Sequence, residues 1–398
     1  MSILTSVPMA PRDPILGLTE AFVADTRADK VNLGVGVYLG EDGKVPLLDC
    51  VRQAEFGLAQ TPTARGYLPI DGMPAYNTAV KDLVFGPDSA AVAAGRVVTV
   101  QGLGGTGGLR IGAEFLKSTS AQRKVLLSTP SWENHQALFA RAGFEVSGYR
   151  YYDAAAHAVD IEGMLADLSV AEPGTVVVLH ACCHNPTGYD LSPQQWVQVA
   201  EVVVAHGLVP FLDLAYQGFA AGLDGDRAAV ELFAGLGIPV LVASSFSKSF
   251  SLYGERVGAL SVVAADADEA ARALSQLKAT IRTVYSNPPT HGAAVVAKVL
   301  GDPELRALWE QELAGMRVRI KEMRRQLVTG LVAAGVSRDF SFITDQVGMF
   351  SYSGLRVDQM ERLRAEHGVY GTDAGRICVA ALNNKNVEKV AGAIAAVL

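Results

Sequence analysis

Between residues 96 and 263, short apolar runs alternate with helical stretches. The runs are Arg96–Val100, Lys124–Ser128, Val176–His180, Val209–Leu212, Pro239–Ala243 and Gly258–Val263. They are rich in Val and Leu and do not alternate apolar with polar. That pattern predicts strands buried on both faces, hence a mainly parallel sheet with crossover helices. A different period begins after Pro303: Leu305, Trp309, Leu313, Met316, Ile320, Met323, Leu327 and Leu331 recur at threes and fours. It predicts one long amphipathic helix, stopped near Gly335, of a length that suits a strut between domains. The tail reads as a strand near Gly348–Tyr352, a helix over Val357–His367, a strand near Arg376–Ala380 and a last helix from Asn386. The N-terminal segment is too short to bury a core alone and is expected to pack with this tail. The fold class is therefore α/β. A large domain over 46–305 carries the mainly parallel sheet, and a small α+β domain combines 1–45 with 306–398, joined by the helix near 305–333.

At 398 residues the chain exceeds one ordinary core, which agrees with two domains. With 49% hydrophobic and 19% charged residues it is globular rather than disordered. Its net charge of −7, without a basic block, argues against nucleic acid and anionic membrane as partners. No apolar run is long enough to span a bilayer. The start is broken by Pro8, Pro11, Arg12, Asp13 and Pro14 and lacks the pattern of a secretory signal. The four cysteines, Cys50, Cys182, Cys183 and Cys378, are not spaced as metal ligands and read as reduced, buried thiols of a cytoplasmic protein. No metal is expected.

In parallel sheets of this kind, ligands sit beyond the carboxyl ends of the strands. Thr106, Trp132, Asn185, Asp213, Tyr216, Ser245 and Lys248 all fall there. Lys248 lies among hydroxyls in Ser245-Phe246-Ser247-Lys248-Ser249, and Arg256 follows eight residues later. An amine so placed can form an imine with a phosphorylated cofactor, while hydroxyls and a guanidinium hold the phosphate. An ordinary strand-end lysine is the plain alternative. Gly102–Gly108 follows a strand and opens a helical stretch, Leu109–Leu116. Glycines and a helix N-terminus suit a phosphate. Residues 102–107 also match a dinucleotide fingerprint, but the next strand ends in Ser128-Thr129-Pro130 without the ribose-binding acid, and no Lys follows as in a P-loop. Asp213 at a strand end needs a partner. A protonated pyridine nitrogen would be one, and would let the ring accept electrons. Trp132 and His135 share one helical face, so Trp132 could stack on the ring with His135 behind it against Asp213. Asn185, in His184-Asn185-Pro186-Thr187-Gly188, and Tyr216 are candidate partners of a ring oxygen; the former motif equally forms an ordinary turn. Arg376, inside a strand-like run, needs a carboxylate: either a substrate's or that of Asp373. Tyr67 and Arg282 carry little signal by themselves.

Taken together these residues resemble the class I aminotransferases, fold type I enzymes dependent on pyridoxal 5′-phosphate, and within them the bacterial aspartate and aromatic-amino-acid branch. The likeness runs from Asp13-Pro14-Ile15-Leu16-Gly17-Leu18 to the final helix. It implies that Lys248 carries the cofactor and shuttles a proton, that Asp213 pairs with the ring nitrogen, and that His135 supports Asp213. It implies Asn185 and Tyr216 at the ring oxygen and Trp132 stacked on the ring. Gly105, Thr106, Ser245 and Arg256 would hold the phosphate, with Tyr67 reaching it from the other subunit. Gly36, Trp132 and Asn185 would line the substrate site, Arg376 would grip the α-carboxylate, and the partner's Arg282 the distal carboxylate of aspartate, glutamate or 2-oxoglutarate. The cofactor would alternate with pyridoxamine 5′-phosphate in a ping-pong reaction between an amino acid and a 2-oxo acid. The family implies a homodimer with shared sites. The side-chain pocket is mixed: Thr106 and Asn287 resemble the aspartate type, Leu39 and Val45 the aromatic type. A strictly aspartate-preferring enzyme, another pyridoxal phosphate reaction such as β-elimination, and a non-catalytic homologue remain as alternatives.

Overall fold

The computed structural model describes residues 2–10 and 14–398. Met1, Pro11, Arg12 and Asp13, on which the leader reading and the start of the resemblance partly rest, lie outside the described residues. The centre of the molecule is a seven-stranded sheet: β1 Val97–Leu103, β2 Lys124–Thr129, β3 Glu145–Arg150, β4 Val176–His180, β5 Val209–Leu214, β6 Val240–Ser245 and β7 Val257–Val263. Their spatial order is β1-β7-β6-β5-β4-β2-β3. All pairs are parallel except those of β7, which runs antiparallel to both β1 and β6. This reversal has a consequence for the site: it brings the start of β7, and with it Arg256, to the rim where the other strands end.

Both faces of the sheet are covered. Along β4, Val176 and Val178 enter one apolar cluster while Val177 and Leu179 enter the other. A strand clad on two sides has no polar face, which is why its sequence is an unbroken apolar run. The edge strand β3 was not predicted. In Glu145–Arg150 only Tyr149 is buried, so no such run exists to be read.

The long helix spans Pro303–Ala333. Asp302 caps it by accepting from the backbone N–H groups of Glu304 and Leu305, and Pro303 occupies the first turn. The eight apolar positions expected from the period are buried, and so is Arg324. Trp309 donates to Ser249 O at 2.8 Å and stacks on Phe250, tying this helix to the Lys248 loop. The N-terminal segment does pack with the tail. Val31–Asn32 pairs in parallel with Val369–Tyr370, and Arg27 donates to the carbonyls of Arg364 and Ala365. Phe350–Tyr352 pairs antiparallel with Arg376–Cys378, placing Tyr352 opposite Arg376. One apolar cluster runs without a break from the sheet through the long helix to the final helix, Val387–Val397. No helix among the described residues is long and apolar enough to cross a membrane.

Candidate active site

The strand ends converge on one cavity of about 210 Å³, whose walls include Gly36, Gly105, Thr106, Trp132, Asn185 and Asp213. Tyr216, Ser245, Lys248, Arg256 and Arg376 also line it, and Phe350 and His180 join them.

At one end is a cradle. The helix Gly104–Thr119 begins five residues before the expected Leu109, so the backbone of Gly104 and Gly105 and the hydroxyl of Thr106 form its first turn. The first N–H groups of a helix lack intrahelical partners; that of Gly104 donates to Arg256 O at 2.9 Å, and Gly105 and Thr106 line the cavity together with Ser245, Ser247 and Arg256. Arg256 is held there through contacts from its Nη1 to Ser247 Oγ and Tyr253 O. Gly258 makes the close approach possible: a Cβ on it would lie 2.3 Å from the carbonyl carbon of Gly104. A helix start, two hydroxyls and a guanidinium fit a phosphate monoester.

In the middle, Lys248 follows β6 and its Nζ lies 5.1 Å from the centre of the Tyr216 ring. Burial lowers its pKa to about 8, with Arg256 acting in the same direction and Asp213 against it. Asp213, the last residue but one of β5, lies opposite His180 on β4 and is buried. Burial alone would raise its pKa; the 3.0 Å hydrogen bond with His135 Nε2 and the surrounding charges outweigh it, and the carboxyl is held below its usual range. His135 is fixed in turn by Ser131 Oγ at 3.0 Å and meets Trp132 edge-on. His135 thus stands behind the cavity, as expected, rather than in its wall. A buried carboxylate backed by a histidine, in a cavity also lined by a lysine and an indole, fits a protonated pyridine ring.

At the other end Arg376 is buried. Its expected structural partner, Asp373, is elsewhere: that carboxylate pairs with Arg364. A backbone turn, closed by Gly375 N–H on Thr372 O and Thr372 N–H on Arg376 O, lies between Asp373 and Arg376. Arg376 instead donates to Asn185 Oδ1 at 3.1 Å and Gly34 O at 2.9 Å, with Glu133 3.7 Å away, and its Nε is buried without a partner. Phe350 lies over it, with the ring centre 4.5 Å from the guanidinium carbon. A guanidinium with spare donors, facing a cavity, fits a carboxylate.

Two expected site residues are not brought in by this chain. Tyr67 is 94% exposed, and Arg282 is exposed on the last turn of the helix Ala267–Val284, where it bonds Ser286. Leu39 and Val45 do not line the cavity either: Leu39 packs against the main core and Val45 is exposed. Phe350 and His180 were missed by sequence reasoning. The strand holding Phe350 was legible, but the register that points it at Arg376 was not; His180 could have been found as the strand-end residue level with Asp213. His184, which precedes Asn185, bonds Ser128 and Thr187 through its two nitrogens and stacks on Tyr151. All four cysteines are free and buried.

The family model for aminotransferase class I and II matches residues 28–394. Aspartate aminotransferase of Pseudomonas aeruginosa is 59% identical over 398 residues, covering 100% of both chains. Aromatic-amino-acid aminotransferase of Escherichia coli is 51% identical over 387 residues, covering 97% of this chain and 98% of its own. The crystal structure of aromatic-amino-acid aminotransferase from Burkholderia pseudomallei, covalently bound to pyridoxal phosphate, superposes with a TM-score of 0.98 at 63% identity over 100% of both chains. A cavity with a phosphate cradle, a lysine of lowered pKa, a buried carboxylate and an indole is what pyridoxal phosphate requires, and the chain that builds it belongs to the class I and II aminotransferases.

Proposed function

We propose that this chain transfers the amino group of aspartate or of an aromatic amino acid to 2-oxoglutarate in a ping-pong reaction. The observation that carries the reading is that Lys248, Asp213 and Arg376 line one cavity. When bound, pyridoxal phosphate supplies an aldehyde to receive the amino group and a ring that withdraws electrons from the reacting carbon. The Gly104–Thr106 turn, Ser245 and Arg256 hold its phosphate. Asp213, kept ionised by His135, holds a proton on the ring nitrogen. Asn185 and Tyr216 contact the ring oxygen, and Trp132 covers the ring. With a pKa of about 8, Lys248 is partly neutral near neutral pH, as a nucleophile and base must be. Its Nζ moves the proton from the substrate Cα. Arg376 receives the α-carboxylate, and Gly36 lines the space beside it.

We further propose a homodimer in which Tyr67 and Arg282 complete the neighbour's site, Tyr67 at the phosphate and Arg282 at a distal carboxylate. The exposure of the aromatic Tyr67, a residue expected to serve the neighbour's site, supports a surface that is covered in the dimer. Sedimentation as a monomer would contradict it. The division into 46–305 and 1–45 with 306–398 fits a unit that closes on substrate, and four free buried thiols support a cytoplasmic setting. The names of the relatives support both substrate classes. The test is nitrogen-15 transfer: labelled aspartate and labelled phenylalanine should each yield labelled glutamate from 2-oxoglutarate. Labelled serine, whose β-hydroxyl can leave, is the counter-test: release of labelled ammonia with pyruvate, and no labelled glutamate from aspartate or phenylalanine, would favour β-elimination and overturn the reading.

A further inference from the structure

A buried guanidinium ordinarily faces a carboxylate. Arg324, on the long helix, is only 1% exposed, yet its bonding partners are neutral oxygens of a single segment. Its Nη1 donates to Ile343 O at 3.3 Å and Gln346 Oε1 at 3.4 Å; its Nη2 donates to Val347 O at 3.3 Å, Gly348 O at 2.9 Å and Phe350 O. Burial lowers its pKa to about 10, so it stays charged at neutral pH. The planar fork suits this task. Lysine has the charge but cannot reach carbonyls spread over eight residues, and an apolar residue would leave them buried without donors.

The segment so gathered closes on the turn that carries Asn185. Val347 N–H donates to Gly188 O at 2.7 Å, and a Cβ on Gly188 would lie 2.9 Å from Phe350 O. From the far side Asp190 accepts from the N–H groups of Cys183 and His184 at 2.7 and 2.8 Å, fixing the same turn. The segment ends at Phe350. Its ring covers Arg376, meets Tyr216 edge-on at 5.9 Å, and would be struck at 2.6 Å by a Cβ on Gly36. Carbonyls held by Arg324 therefore set where Phe350 sits, and Phe350 sets the face of Arg376.

We propose that Arg324 is a positioning residue for carboxylate recognition: by clamping residues 343–350 it holds Phe350 against Arg376 and so orients the guanidinium that receives the substrate carboxylate. The inference rests on the reading of Arg376 given above. The test uses the cofactor-loaded enzyme and two unreactive probes, maleate and 3-phenylpropionate, with dissociation constants read from cofactor absorbance. Arg324→Lys should weaken both probes about tenfold or more and raise KM for aspartate and phenylalanine alike. Meanwhile kcat should fall less than threefold, and the pH titration of the unliganded absorbance should not move. Phe350→Leu should give a comparable loss, and Arg324→Lys should add less than twofold on that background, because coupled residues are not additive. Arg324→Met, measured per cofactor-loaded site, should behave as Arg324→Lys does. Unchanged probe binding in Arg324→Lys, full additivity with Phe350→Leu, or an absorbance titration that shifts along with binding would overturn the proposal. Arg376→Lys runs in parallel: if it too retains carboxylate affinity, the reading of Arg376 itself fails; if it loses affinity while Arg324→Lys does not, only the role of Arg324 fails.

Discussion

Gly258→Ala is a one-methyl perturbation with a large expected effect on the cofactor. Gly258 lies in β7, opposite Gly102 on β1 and Ser245 on β6. A Cβ there would lie 2.3 Å from Gly104 C, 2.6 Å from Gly104 O and 2.7 Å from Ser244 O. All three are backbone atoms, so no side chain can swing aside. The strand is bonded on both edges, and its carbonyl also accepts from Tyr76 Oη at 2.7 Å. Relief must come from the Gly104 peptide, which starts the helix proposed to hold the phosphate. Forcing an extra carbon into a filled site costs about 1–3 kcal/mol. If about 2 kcal/mol of that appears as lost binding, cofactor affinity falls roughly 30-fold, since 1.4 kcal/mol is tenfold. Gly254→Ala is the control: nothing lies within 4 Å of its added carbon, and affinity should stay within about twofold. Equilibrium dialysis of pyridoxal phosphate against each apoenzyme reads the difference. A folded Gly258→Ala protein that binds as tightly as Gly254→Ala would refute the cradle.

Specificity and acid stability give two further expectations. Arg282→Leu should cost the dicarboxylates about 2–5 kcal/mol if the pair is well buried, and spare phenylalanine, whereas Arg376→Leu should harm all substrates. Single-turnover rates for aspartate and phenylalanine decide, and an equal loss for both in Arg282→Leu would defeat the two-carboxylate pocket. His180 is pushed down to about 3 by burial, then by His135, and His184 is also held far below its usual value by burial. Folded pKa values below the unfolded ~6.5 mean stability that is present above that pH and lost as pH falls toward the folded value. Each histidine should therefore cost about 1.4 kcal/mol per pH unit below ~6. The buried Asp190, raised to about 6, acts in the opposite sense, so the comparison of wild type with His180→Asn isolates one histidine. Urea unfolding between pH 7 and pH 5 should show a shallower acid slope in His180→Asn, and parallel slopes would contradict the assignment.

Most of the large sheet could be read from the sequence because its strands are covered on both faces and carry no polar interruption. Val176–His180 was read to the residue for that reason. The long helix was legible from eight apolar positions. Where burial is one-sided or geometry is long-range, the sequence is silent. The edge strand β3 has one buried residue, and the antiparallel run of β7 leaves no local mark. The same division holds in the site. Lys248 and Asn185 follow strand ends, Asp213 sits at one, and all three announce themselves by place. Asp373 stands three residues from Arg376 in sequence yet pairs with Arg364, because a turn separates them. Phe350 and Arg324 act through register and burial, which no short window contains. Tyr67 and Arg282 had meaning only through family likeness, and their exposure in one chain is where a shared site would leave them.

Whether Lys248 carries the cofactor can be read by borohydride reduction followed by peptide mass analysis. Reduction should leave a phosphopyridoxyl group on the peptide containing Ser245-Phe246-Ser247-Lys248 and, after prior exposure to glutamate, no trapped group at all. Trapping on any other lysine, or on Lys248 undiminished by glutamate, would contradict it.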